Sequence, residues 1–334
     1  MAIKTKTLRS AVAASLLSLA TVWVAPSFAQ NNTAWPTKPV RLVVPAPAGS
    51  SLDIVARLLQ DKLRDVWAQP IIVDNKPGAG GMLGVDIVAK STDAHTLVIG
   101  FPGPIAYAPY LYKKMPYDPA KDLQAVVMTT SQPNVFAVPA SLPVKTVADF
   151  ITYARANPGK VSYGSIGNGS SSHLTMELLK SSAGFEALHV PYNGSPPAAL
   201  SLANGDTQAL FAVASGIAPM VKAGKVKLLA VSSNKRFEQL PELPAIAETK
   251  LPALKTFEAM AWNGIFAASS MPETIVAKIN RDVNSALNVT DLKARLYVQG
   301  MQVTQSTPVS FAKTIADDGK LWGKLIQSLN LKLD

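Results

Sequence analysis

Three times along this 334-residue chain, a short apolar run leads into a loop of small residues and then into a helical pattern. The first follows the run at 40–44 and reads Pro47-Ala48-Gly49-Ser50-Ser51-Leu52-Asp53. The second is GSIGNGSSS at 164–172, and the third is Pro191-Tyr192-Asn193-Gly194-Ser195. Strand, tight loop and helix in succession predict an α/β fold with mainly parallel sheets. Over 53–67, Val55, Leu58, Leu59, Leu63 and Val66 keep the three-four spacing of one helix face, with Lys62 its single polar member. The segments 71–73, 96–99, 135–138 and 227–231 read as buried strands. Helix starts are marked by Thr146 with Asp149, by Ser195-Pro196, by 270–273 around Pro272 and by Thr307-Pro308; Asn157-Pro158-Gly159 is a stop.

These loops have a chemistry of their own. Small residues let a backbone approach a ligand closely. The first N–H groups of a helix lack intrahelical partners and sit at the positive end of its dipole. Serine hydroxyls add donors, so an anion can be held without Arg or Lys. Each loop taken alone is also explained as an ordinary cap.

Other functions lack their signatures. With no Cys, thiol nucleophiles and Cys-ligated metals are excluded. The three His (His95, His173, His189) are scattered and show no HExxH spacing, so no metal site is expected. There is no G-x-S-x-G elbow and no phosphate-binding P-loop. Gly167-Asn168-Gly169 lacks the third Gly of a dinucleotide fingerprint, and no catalytic residue or cofactor is assigned. Lys4, Lys6 and Arg9, the apolar run 11–25 and Ser27-Phe28-Ala29 form a secretory signal peptide over 1–29. Cleavage after Ala29 would release the chain to the periplasm and lower the formal charge from +10 to +7. No basic cluster with interleaved aromatics points to nucleic acid.

No flexible linker divides the chain. The apolar segments 135–138 and 260–267 are the candidates to carry it between two lobes, giving 30–136 plus 260–334 as a discontinuous lobe and 137–259 as a continuous one. A cleft between lobes is where small-molecule sites commonly lie.

The mature chain resembles a Bug-type solute-binding protein of the tripartite tricarboxylate transporter family. The resemblance runs from Trp35 onward: WPTKPVRLVVPAPAGSSLDIVARLL (35–59), NKPGAGGMLG (75–84), MPYDPAKDL (115–123), GSIGNGSSSHL (164–174), HVPYNGSPPAAL (189–200), KAGKVKLLAVSS (222–233) and WNGIFAASSMPE (262–273). It implies a two-lobed type II periplasmic binding fold that closes on a small carboxylate, held by backbone amides, hydroxyls and waters. It implies a monomer serving the membrane subunits of such a transporter. Carried over as ligand-binding are Ala48, Gly49, Ser50 and Ser51 in one lobe, and Ser165, Asn168, Gly169, Ser170, Tyr192 and Asn193 in the other. Asp53 matches a family Asp, with stabilisation of the helix start as its competing role. Departures matter: Ser50 stands where relatives carry Gly, and Phe101 opens a stretch usually polar, as a pocket wall or as core. Ala212 replaces a common acid, which disfavours an amine-bearing ligand.

Two other readings remain open on sequence alone. One is a ligand-dependent sensor partner that uses the same closed form. The other is a secreted serine hydrolase using Ser165 or Ser170, with His173 as the nearest base.

Overall fold

The apolar run after Trp35 forms strand β1 (Val40–Val44), held between parallel partners β2 (Ile71–Asn75) and β3 (Thr96–Gly100). Alternate residues serve opposite faces of this sheet. Leu42, Val44, Leu97 and Ile99 join the cluster under α1 (Ser51–Trp67), whereas Val43 and Val98 join Val85 of α2 (Met82–Ala89) on the other side. A strand covered on both faces reads as continuously apolar, which is why β1 and β3 lack a polar alternation. The computed structural model describes residues 35–333, and the expected signal peptide lies outside the described residues.

After β3 comes a π-helical turn (Gly103–Tyr107), then α3 (Ala108–Leu111), α4 (Pro119–Asp122) and the long β4 (Leu123–Pro133). The chain crosses at Asn134 into a second sheet. There it runs through β5 (Val135–Pro139), α5 (Val147–Ala156), β6 (Ser162–Ser165), α6 (Ser171–Ala183), β7 (Leu188–Pro191), α7 (Ser195–Asn204), β8 (Ala209–Ala212), α8 (Ala214–Lys222) and β9 (Val226–Val231). It returns through β10 (Met260–Ala268), then α9 (Glu273–Leu287), α10 (Thr290–Tyr297), β11 (Gln302–Val303) and α11 (Pro308–Ser328).

The strand orders are β11-β4-β10-β3-β1-β2 and β7-β6-β8-β5-β9. Both sheets are mixed, which corrects the expectation of mainly parallel pairing. β1 with β2 and β3, and β6 with β7 and β8, are parallel; β10 with β3 and β4, β11 with β4, and β5 with β8 and β9 are antiparallel. The parallel pairs are the helix-connected ones. Strands β4 and β10 pair with strands they reach by no helical crossover, and β5 enters between β8 and β9, which α8 connects and which both run opposite to it.

The two crossings are tied together at Ser232. Its Oγ accepts from Asn134 N (2.9 Å) and donates to Ala259 O, its N donates to Asn134 O (2.8 Å), and its carbonyl accepts from Ala259 N (2.8 Å). The second core also has two faces, with Phe136, Phe150 and Phe211 on one side and Val135, Leu202 and Leu210 on the other.

Candidate functional site

Two of the three small-residue loops are built alike. Ser50 caps α1 at φ −71°, ψ 164°, and its Oγ accepts from Asp53 N at 3.3 Å. Ser170 caps α6 at φ −72°, ψ 162°, and its Oγ accepts from His173 N at 3.3 Å. Each cap follows a glycine at positive φ, Gly49 (79°) and Gly169 (70°), which turns the chain from strand to helix. In each, the third helical side chain reaches back to that glycine's amide. Asp53 Oδ2 accepts from Gly49 N (3.0 Å), and His173 Nδ1 accepts from Gly169 N (3.2 Å).

The third loop differs from expectation by one residue. Gly194 is the N-cap of α7, at φ 107°, and Ser195 is the first helical residue. A side chain is strained at that φ, so the cap falls to the glycine. A Cβ there would also lie 2.5 Å from Pro47 Cδ of the other lobe.

The three loops meet at a cavity of about 40 Å³ between the sheets. Ser50 and Ser51 face it from α1. Ile166, Ser171, Asn193 and Ser195 face it from the second lobe, and Gly80, Gly81 and Phe101 form a side wall. Gln132, Ala261, Trp262 and Asn263 close it from β4 and β10. Asp, Glu, Lys, Arg and His do not occur among its lining residues.

Of the residues predicted from sequence, the structure brings Ser50, Ser51, Phe101 and Asn193 to the cavity wall. Phe101 is at once wall and core. Ala48 and Gly49 stand exposed beside it. Asp53, Ser165, Gly169, Ser170 and Tyr192 back the loops instead. Ser170 Oγ donates to Gly167 O (2.6 Å), and Tyr192 OH donates to Ser201 Oγ. Asn168 contributes its carbonyl to the contact between lobes, 2.6 Å from where a Cβ on Gly80 would sit. Ala212 lies in the core of the second sheet, and its neighbour Val213 reaches the cavity. Sequence reasoning missed Gly80, Gly81, Gln132, Ser171, Ser195 and Trp262. The glycines had a signal in the run NKPGAGG, whereas Gln132 had none.

Burial raises the Asp53 carboxyl. Arg57 Nε (3.0 Å), Gly49 N and Asn75 Nδ2 (3.0 Å) outweigh it and hold the group below the usual carboxylate range. His173 stacks on His189, with ring centroids 4.0 Å apart, and Tyr163 stacks on His189 at 4.9 Å. Two of the three histidines, scattered in sequence, are thus partners in space. Burial, aided by Lys180, pushes His173 down to about 4. Burial and His173 push His189 down to about 3, against the opposing pull of Glu177. Asp318 is pushed up to about 6 by burial, although it accepts from Trp262 Nε1 (2.9 Å) and Tyr107 OH (3.0 Å).

The base beside Ser165 is His189, with Nε2 2.7 Å from Oγ, rather than His173. Ser165 is 0% exposed and lies outside the cavity wall, so no substrate reaches it. A base with so depressed a pKa is also poorly matched to general-base work near neutral pH. The serine-hydrolase alternative finds no support in this arrangement.

Two α/β lobes joined by paired crossings, with helix N-termini from both converging on one small cavity, define a two-lobed solute-binding protein. Residues 55–331 match the tripartite tricarboxylate transporter family receptor, and the chain belongs to that family. Protein BugT of Bordetella pertussis is 31% identical over 301 residues, 90% of this chain and 91% of BugT. The structure of R. palustris Rpa4515 with adipate superimposes with a TM-score of 0.86 at 34% identity, covering 90% of this chain and all of that one. MatC from Rhodopseudomonas palustris with bound malate gives 0.82 at 31% identity, covering 87% of this chain and all of MatC.

Proposed function

We propose that this chain is a periplasmic receptor that captures a small carboxylate by closing its lobes on it and delivers it, as a monomer, to the membrane subunits of a tripartite tricarboxylate-type transporter. The observation that carries this reading is the cavity of helix N-termini and serine hydroxyls, with no ionisable side chain in its wall. Such a wall attracts one anionic group through N–H groups and dipoles alone. The carboxylates held by Rpa4515 and MatC support the same class. The lobes are taken as 30–136 plus 260–334 and 137–259, with the crossing at Asn134 and the Ser232 tie as the hinge. Ligand contacts made by both lobes at once are what drive closure.

Thermal unfolding against succinate, malate, adipate, citrate, benzoate, 4-hydroxybutyrate and 4-hydroxybenzoate tests this, on wild type and Gly80→Ala. Gly80 has φ +62°, and a Cβ would meet Asn168 O across the cleft at 2.6 Å. In wild type, one class at 100 times its Kd stabilises by about 2.7 kcal/mol, a shift of several degrees. Gly80→Ala loses that shift. A flat panel with refolded, ligand-stripped wild type overturns the carboxylate reading; an unchanged shift in the variant overturns closure.

A further inference from the structure

Among the described residues, several buried polar atoms lack a hydrogen-bond partner, and Gln132 is the side chain with both of its polar atoms so placed. It is 1% exposed, in the last turn of pleat before the crossing at Asn134, opposite Ala261 in the β4–β10 ladder. Neither its Nε2 nor its Oε1 has a hydrogen-bond partner, and the residue lines the cavity beside Ala261, Trp262 and Asn263. Its neighbour Asn263 is by contrast paired, donating through Nδ2 to Thr130 Oγ1 at 2.9 Å. A primary amide brings two donors and one acceptor. Buried polar groups in native proteins are almost always satisfied, and an orphan calls for a cause.

We propose that Gln132 reads the second polar group of the ligand, and that this group is an uncharged one offering both a donor and an acceptor. The ligand is then a monocarboxylate bearing a hydroxyl or amide, not a dicarboxylate. This rests on the proposed function, because the helix N-termini must take the first carboxylate. A second carboxylate would accept from Nε2 but leave Oε1 unpaired against its negative charge. The wall holds no Lys, Arg or His to compensate its desolvation. An ammonium would donate to Oε1 but leave Nε2 unpaired, and the wall holds no Asp or Glu. A hydroxyl or amide answers both ends, whichever way the carboxamide is turned. The preference therefore departs from the dicarboxylates adipate and malate held by the two neighbours.

Titration calorimetry with two matched series decides it: butyrate, 4-hydroxybutyrate and succinate; benzoate, 4-hydroxybenzoate and terephthalate. In at least one series, the hydroxy acid binds wild type roughly tenfold more tightly than either companion, the scale of one net hydrogen bond. Gln132→Met, close in volume but without the amide, makes the plain and hydroxy acids equal and leaves the plain acid within about threefold of wild type. A diacid as the tightest ligand, or a hydroxy-to-plain ratio that survives Gln132→Met, overturns the inference and leaves the carboxylate receptor standing. Binding by none of the six overturns the inference, and with a flat unfolding panel beside it overturns the carboxylate receptor as well. The wild-type ratios decide without any variant, so a poorly folding Gln132→Met does not block the test.

Discussion

The loops that open α1 and α6 reach nearly the same backbone geometry with opposite chemistry behind it. Both place a serine cap after a left-handed glycine, and both turn the third helical side chain back onto that glycine's amide. Behind α1 the acceptor is a carboxylate, Asp53, held ionised by Arg57 and Asn75. Behind α6 it is a neutral imidazole, His173, sealed in a stack with His189 and Tyr163. A backbone anion site thus needs an acceptor at one position, not a particular residue. The choice of acceptor decides how the loop answers to pH.

The largest expected effect separates the two loops by acid. The folded state keeps His173 and His189 neutral down to about 4 and 3, while the ordinary value is 6.5. Below that pH the unfolded chain binds more protons. Stability from these groups is complete above 6.5 and falls as the pH drops towards 4. At pH 4.5 the loss is on the order of 2 kcal/mol per histidine. Asp53, with its lowered pKa, holds its charge across that window, and its contribution goes only at lower pH. Asp318 works in the other direction, because its raised pKa makes acidification below about 6 favour the folded state. The comparison is therefore between variants: urea unfolding at pH 7 and pH 4.5 for wild type and His189→Phe. The variant keeps the ring stack and loses about 2 kcal/mol less than wild type between the two pH values. Equal losses would mean the imidazoles do not distinguish the loops.

A middle-sized effect separates fold from binding at the caps. Ser50→Ala and Ser170→Ala each cost about 1 kcal/mol of stability as lost N-caps. Only Ser50 faces the cavity, whereas Ser170 Oγ is spent on Gly167 O. With a carboxylate identified by the unfolding panel, Ser50→Ala weakens binding roughly fivefold to tenfold and Ser170→Ala by less than about twofold. Equal losses of affinity in both would show that the second hydroxyl also reaches the ligand.

Much of this was legible in the sequence, and the boundary of legibility has a physical form. The strand–loop–helix units follow from local rules, since Gly and Ser before an apolar helix face specify a turn and a cap; that the loops face each other is implied only by the family resemblance. The mixed sheet direction was not legible, because it is set by where β4 and β10 carry the chain, a property of the whole path. The same holds for Gln132 and Trp262, polar and aromatic residues in strands whose periodicity says only that they are covered. The sequence marks Ser165 and Ser170 as candidate ligand contacts, but not that their hydroxyls bond to Gly167 O, because a hydroxyl's direction depends on the turn it stabilises. His173 and His189 meet only because β6 and β7 pair in parallel register, Tyr163 opposite His189.

The smallest effect probes the carboxylate side of the comparison. Arg57 donates to Asp53 Oδ2 at 3.0 Å from one helical turn away, yet its side chain is half exposed. An exposed pair at this spacing is worth about 0.5 kcal/mol, and salt screens it. The Asp53 carboxylate would still accept from Gly49 N and Asn75 Nδ2 after the cation is gone. Arg57→Met should therefore lower stability by about 0.5 kcal/mol in dilute buffer and by almost nothing in 1 M NaCl, with ligand affinity unchanged. A loss that persists in salt and carries over to affinity would mean that the α1 loop depends on its ion pair. The two loops would then differ in what holds their backbone, and not only in how they titrate.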